Sequence, residues 1–292
     1  MKIGLFAPAS NPFATPDYLR ALGSGAERRG FHSIWAAEHV VLFDEHESRY
    51  PYSADGRLPA GGEQGILEPF TTLSFLAAAT RRIRLGTGVC LVPQRNPVYT
   101  AKEVVGIDWL SGGRFDFGIG IGWLAEEFRA LGVPFEGRAA RCREYIEVMR
   151  RLWCDPVSSY KGALYELPAC RHYPKPLQKP HPPIFFGGES DAALKRVADL
   201  AQGWYPFSLE PERLAARLRD LDRLLERRGR SRKDLQVIVC PYLLPTDLDL
   251  IKRYGDAGVE QVILLLFASD CDALERSLDD LAEQFVEPAK RL

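Results

Sequence analysis

No run of apolar residues in this chain approaches the roughly 18–20 needed to cross a bilayer; the stretch 262–267 is typical, a short segment of the kind buried in a core. The first twenty residues are broken by Pro8, Asn11, Pro12, Pro16 and Asp17, which leaves nothing of signal-peptide length and leads us to expect a cytoplasmic protein with no membrane partner. An excess of either charge is also missing. With 38 Lys and Arg against 39 Asp and Glu, the net charge is −1, so no global basic field exists to gather nucleic acid. The six cysteines, Cys90, Cys142, Cys154, Cys170, Cys240 and Cys271, show no C-x-x-C spacing. That absence argues against a redox dithiol or a zinc site and for reduced, buried thiols. Cys170 and His172 lie close together, but two ligands fall short of a metal site, and no metal is expected. Internal repeats and low-complexity segments are absent as well, and histidine is scarce, with five in 292 residues.

What is present is an alternation. Short β-branched or aromatic runs at 3–8, 33–38, 84–89, 115–120, 183–187, 203–207, 236–242 and 261–267 are separated by helical patterns at 17–29, 70–81, 98–110, 139–152, 191–201, 210–228, 248–257 and 272–285. In the helical stretches apolar residues recur every three or four positions, as in Leu214, Leu218, Leu221 and Leu225. Ser190 can cap one helix, and Gly30 and Gly258 can close two others. Eight strands each followed by a helix fit one α/β domain over residues 1–292, a (β/α)8 TIM barrel, better than an open sheet. The barrel predicts that 3–8 pairs with 261–267. Two long segments, 46–68 after strand two and 154–181 between strands four and five, are insertions. The first rises from the face where barrel active sites lie and can act as a lid; within the second, 158–167 reads as a hairpin around Lys161-Gly162.

In a barrel, the residues that end strands face a ligand. Strand two ends in Glu38-His39, a carboxylate beside an imidazole: either a proton donor or orienting pair, or an exposed loop start. Strand three carries Gly86-Thr87-Gly88-Val89, where the glycines mark either a bulge approached by a ligand or tight packing. Strand four runs into Gly118-Ile119-Gly120-Ile121-Gly122-Trp123, against whose backbone a flat ring can lie. Glu126 and Glu127, which follow, read as first-turn acids favoured by the helix dipole. Strand five ends in Gly187-Gly188-Glu189-Ser190 ahead of a helix, which is either a phosphate-binding helix start or simple capping by Ser190.

Taken together, Trp35-Ala36-Ala37-Glu38-His39, the stretch 83–97, Leu110-Ser111-Gly112-Gly113-Arg114, the stretch 118–128 and the run from Pro180 to Gly188 resemble the luciferase-like monooxygenase superfamily, and within it the F420-dependent oxidoreductases. The resemblance extends over about residues 1–225. It implies hydride transfer between coenzyme F420 and a small organic substrate. Its alternatives are an FMN-dependent monooxygenase supplied with reduced flavin by a separate reductase, and a cofactor-binding barrel without catalysis. It also implies a homodimer, a ring resting on Thr87, Gly88 and Val89 with a non-prolyl cis peptide at or beside Gly88-Val89, and a ring and ribityl wall of Gly120, Ile121, Gly122 and Trp123. The phosphate would lie at Gly187, Gly188, Glu189 and Ser190, and His39 near the reactive edge with Glu38 fixing its tautomer. Two positions depart from relatives: Trp123 stands where the family's sugar-phosphate dehydrogenases carry an acid, and Gln202-Gly203-Trp204 stands where Asp-Gly-Trp is common.

Overall fold

Strands from opposite ends of the chain close the molecule on itself. The computed structural model describes residues 1–58 and 63–291. In chain order the strands are β1 (Lys2–Phe6), β2 (Ser33–Ala36), β3 (Arg84–Thr87), β4 (Cys90–Leu91), β5 (Phe115–Gly120), β6 (Ser158–Lys161), β7 (Glu166–Cys170), β8 (Ile184–Gly187), β9 (Gly203–Tyr205), β10 (Gln236–Val239) and β11 (Gln261–Leu265). β1 lies parallel to β11, with Ile3 opposite Val262 and Leu5 opposite Leu264, and parallel to β2 on its other side. The circuit continues through β3, β5, β8, β9 and β10 back to β11. Among the described residues this is the eight-stranded parallel barrel expected, and the double pairing of β1 rules out an open edge there.

The helices that cover the barrel are α1 (Pro16–Arg28), α2 (Pro69–Ala79), α3 (Pro97–Ser111), α4 (Ala125–Ala130), α5 (Arg138–Cys154), α6 (Asp191–Leu200), α7 (Pro211–Glu226), α8 (Leu248–Asp256) and α9 (Cys271–Leu281), with a short α10 (Glu287–Ala289) after a π turn. Ser190 caps α6 as expected, its Oγ accepting from the Ala193 N–H at 3.2 Å, and Gly30 and Gly258 follow α1 and α8 with φ of +79° and +91°. None of the described helices is long and apolar enough to cross a membrane. The hairpin forms, as antiparallel β6 and β7, with its second strand running on to Cys170. Residues 59–62 of the expected lid lie outside the described residues.

Two elements differ from expectation. The strand predicted over 84–89 is broken: after β3 comes Gly88-Val89, whose peptide is cis where the resemblance placed it, and β4 resumes the pairing with β5. The short helix α4 precedes α5 where one helix was expected. The structure also separates the two glycines of strand three. A Cβ on Gly86 would sit 2.5 Å from the Trp35 ring, so Gly86 is there for packing, whereas Gly88 borders the cavity described below.

Inside the barrel, Phe6, Trp35, Phe185, Tyr205, Ile238 and Ile263 form one core, with Trp35 edge-on to Phe185 at 5.6 Å; a larger core lies between strands and helices. Burying side chains of this size contributes ~1.5–3 kcal/mol each, so the inner core is a rigid floor for anything bound above it.

Far from that floor, buried His172 follows β7. Burial first, then the like charges of Lys102 and Lys175, push its imidazole down from 6.5 to about 4. The unfolded chain therefore takes up a proton between pH 6.5 and 4 that the folded chain refuses. Stability is full above the unfolded value and falls as pH drops towards the folded one. Over that window the folded state is expected to lose roughly 2–3 kcal/mol through this residue. Urea unfolding of the parent and of His172→Gln at pH 7 and pH 4 checks this: equal pH dependence in the two proteins would refute it.

Candidate active site

The C-terminal ends of the strands open into a cavity of about 550 Å³. Lining it are Glu38, His39, Gly88, Val89, Gly120, Ile121, Gly122, Trp123, Gly187, Gly188, Glu189 and Ser190, so the sequence-predicted positions come together around one space. Thr87 does not join them. It is buried behind the wall, its hydroxyl donating to the Gly118 carbonyl at 2.7 Å, because the break after β3 turns the next two residues rather than Thr87 towards the mouth.

Glu38 and His39 both border the cavity but do not pair with each other. Consecutive side chains of an extended segment leave it on opposite sides, and each finds its own partner. The Glu38 carboxylate is buried against the Arg95 guanidinium and accepts from the Leu91 N–H at 2.5 Å. Burial pushes its carboxyl up, and Arg95 and Leu91 pull it partly back. Arg95 also meets Glu68 at 3.1 Å and Glu103 at 3.0 Å. Glu38 thus ties the end of β2 to β4, a positioning role in place of the expected tautomer-fixing one. Breaking such a buried pair typically costs ~3–5 kcal/mol.

The partner of His39 is Glu127, in the first turn of α4, whose Oε2 lies 3.2 Å from His39 Nδ1. Glu127 is fully buried and also accepts from the Val40 N–H at 2.6 Å and from Gln94 Nε2 at 3.0 Å. Burial alone raises the Glu127 carboxyl, but the donors from His39, Gln94 and Val40 outweigh it and hold the group below the ordinary carboxylate range. An ionised carboxylate only accepts, so Nδ1 of His39 carries the hydrogen and Nε2 is the nitrogen left for exchange. Glu127 and Arg95 were missed as site residues. The only signals were an acid in a first helical turn and an arginine in a Pro-Gln-Arg-Asn loop, and neither marks a partner 88 or 57 residues away.

The neighbouring acid, Glu126, holds the start of the long segment after β2: its Oε1 accepts from the Glu47 N–H at 2.8 Å and the Ser48 N–H at 3.3 Å. Against slight burial, Ser48 and these backbone donors lower its carboxyl to about 2. Trp123 is the apolar seat of that segment, with His46 and Tyr50 edge-on to it at 5.6 and 5.3 Å and His39 edge-on at 5.8 Å. At the opposite wall, Gly188 has φ +96°. The Glu189 carboxylate accepts from the Phe207 N–H at 2.7 Å and the Tyr52 hydroxyl at 3.3 Å, and burial raises it. Capping by Ser190 occupies only the Ala193 N–H, which leaves the first two N–H groups of α6 without a partner among the described residues. Capping and anion binding are therefore compatible here.

A parallel barrel with a cavity of this size at the strand C-termini is the architecture of a barrel enzyme. The chain belongs to the luciferase-like monooxygenase family, whose model matches residues 1–250. An uncharacterized protein of Mycobacterium tuberculosis is 32% identical over 285 residues, covering 97% of this chain and 95% of its own length. An FMNH2-dependent dimethylsulfone monooxygenase of Pseudomonas putida is 33% identical over 193 residues, 65% of this chain and 48% of its own. The solved coenzyme F420-dependent tetrahydromethanopterin reductase of Methanopyrus kandleri superposes with a TM-score of 0.75 at 18% identity over 98% of both chains, a likeness of fold alone. The chain is accordingly an oxidoreductase of a family that works with a flavin or a deazaflavin.

Proposed function

We propose that the protein transfers a hydride between coenzyme F420 and a small organic substrate. The observation that carries this reading is the His39–Glu127 pair at the wall of a largely apolar cavity. A hydride leaving an alcohol carbon, or arriving at a carbonyl carbon, must be matched by a proton at the adjacent oxygen. An imidazole held through Nδ1 by a buried carboxylate presents Nε2 for that transfer and stabilises the cation it becomes. When bound, the deazaflavin supplies two-electron hydride chemistry that reacts poorly with oxygen. Val89, Ile121, Gly122 and Trp123 would hold its ring and ribityl chain, and Gly187, Gly188, Ser190 and the free N–H groups of α6 its phosphate. The residues present fit such a group: a backbone cradle at Gly188, whose neighbouring acid is engaged by the Phe207 N–H and the Tyr52 hydroxyl, beside apolar lining residues. Glu38 is assigned to holding β4 in place, and the aromatic lid on Trp123 to excluding water.

A second reading, an FMN-dependent monooxygenase fed reduced flavin by a partner reductase, is favoured by the Pseudomonas putida relative. A barrel without catalysis would have no use for an imidazole oriented by a buried acid. Fluorescence titration of the purified protein with F420 and with FMN decides between the first two. F420 is expected to bind at least tenfold tighter; the reverse preference would replace the first reading with the second. In the same preparation light scattering is expected to return twice the 32.8 kDa chain mass, since α3 exposes Tyr99, Trp109 and Leu110 for a second copy to cover.

A further inference from the structure

Among the described residues, a cation at the cavity wall, Arg196, is left without a counterion. Arg196 lies on α6, only 7% exposed, and borders the cavity beside Gly188, Ser190 and Ala193. It stands one turn beyond Ala193 on the same helical face. Long side chains in a helix lean back towards its N-terminus, so the guanidinium reaches towards the turn where the free N–H groups of α6 emerge. Its Nε has no hydrogen-bond partner among the described residues. The acids nearby are engaged elsewhere: Asp191 pairs with Arg217, Asp199 with Arg143 and Arg228, and Glu189 accepts from Phe207 and Tyr52. The charges around Arg196 are instead Arg143 and Arg138, of its own sign, and the Cys142 thiol, which burial keeps neutral.

A buried, unpaired guanidinium is costly and persists where a ligand supplies the missing anion. We infer that Arg196 is that ligand's charge partner: it clamps the phosphate of an organic phosphate ester against the N-terminus of α6 and so discriminates the phosphorylated cofactor from its phosphate-free form. The clamp rests on the redox reading above only for the identity of the ligand's ring. Arg suits the task because its planar fork meets two phosphate oxygens at once. The backbone N–H groups of α6 position the same group but cannot balance its charge.

The test compares the parent with Arg196→Met, which keeps the side chain's length without its charge, and with Arg196→Lys. Affinities are measured for FMN against riboflavin and for F420 against its phosphate-free ring and ribityl fragment, together with melting temperatures with and without inorganic phosphate. Arg196→Met should weaken the phosphorylated form by ~10–100-fold and leave the phosphate-free form within about twofold, with Arg196→Lys between. Its melting temperature without ligand should equal or exceed the parent's, since an uncompensated buried charge has gone; an arginine kept for packing would give the opposite. An equal loss for both forms, or no loss, overturns the clamp while leaving the redox reading intact. If neither ring system binds the parent, the redox reading falls. The clamp then stands if inorganic phosphate raises the melting temperature of the parent and not of Arg196→Met, and falls otherwise.

Discussion

His39→Ala lowers turnover by ~10²–10⁴-fold at saturating cofactor, the range contributed by a positioned acid or base, while leaving the fold intact. The expectation rests on geometry: Nδ1 of His39 is committed to a carboxylate that is itself fully buried and held by three further donors, from Val40, Val41 and Gln94. Such a nitrogen does not exchange, so proton traffic runs through Nε2. Glu127→Gln tests the same unit from behind. The amide keeps an acceptor for Nδ1–H but loses the charge that stabilises the imidazolium. A hydrogen bond to a charged group contributes ~1.5–3 kcal/mol, so the rate should fall roughly tenfold to a hundredfold with little change in cofactor affinity. The double variant should be no worse than His39→Ala, because the two residues act as one device. Single-turnover measurement settles the matter: a rate for His39→Ala within about threefold of the parent would remove the imidazole from the chemistry.

Gly188→Asp is expected to abolish tight cofactor binding. Two effects act in the same direction. The backbone at Gly188 has φ +96°, which side chains disfavour, and a Cβ would meet Ala193 Cβ at 3.2 Å. The larger effect is charge. A carboxylate about 4 Å from a bound phosphate costs on the order of 4 kcal/mol at the effective dielectric of a protein surface, which corresponds to ~10²–10³-fold in affinity. Gly188→Ala isolates the backbone and steric part and should lose far less. Isothermal titration of both variants with whichever of F420 and FMN the parent binds separates the two contributions. Parent-like affinity in a folded Gly188→Asp protein would move the phosphate away from this turn.

Most of the architecture was legible in the sequence because it repeats a local pattern. Alternating strand and helix periods announced eight βα units, and the helix ends at Ser190, Gly30 and Gly258 carry side-chain or backbone chemistry that acts within three or four residues. The glycine-rich strand ends were equally visible, since close approach of a ligand to backbone demands small residues wherever it occurs. The break between β3 and β4 was half visible: the glycines of strand three allow a bulge and the resemblance implies the cis peptide found at Gly88-Val89, whereas 84–89 also has the composition of one continuous strand.

The pairing of charges behaved differently. Sequence adjacency suggested Glu38 with His39, and the extended backbone sends those side chains apart. Glu38 is held by Arg95, 57 residues on, and His39 by Glu127, 88 residues on. Nothing in the sequence marked Arg196; the fold shows its acidic neighbours committed elsewhere. Hydrophobic period and turn chemistry are short-range, so the chain alone settled the barrel, the order of its strands and, apart from Thr87, the strand-end positions that border the cavity. Which carboxylate meets which base is a long-range outcome of closing the barrel, and only the folded molecule, by burying some charges together and, among the described residues, leaving the Arg196 guanidinium without a carboxylate, decided those partnerships.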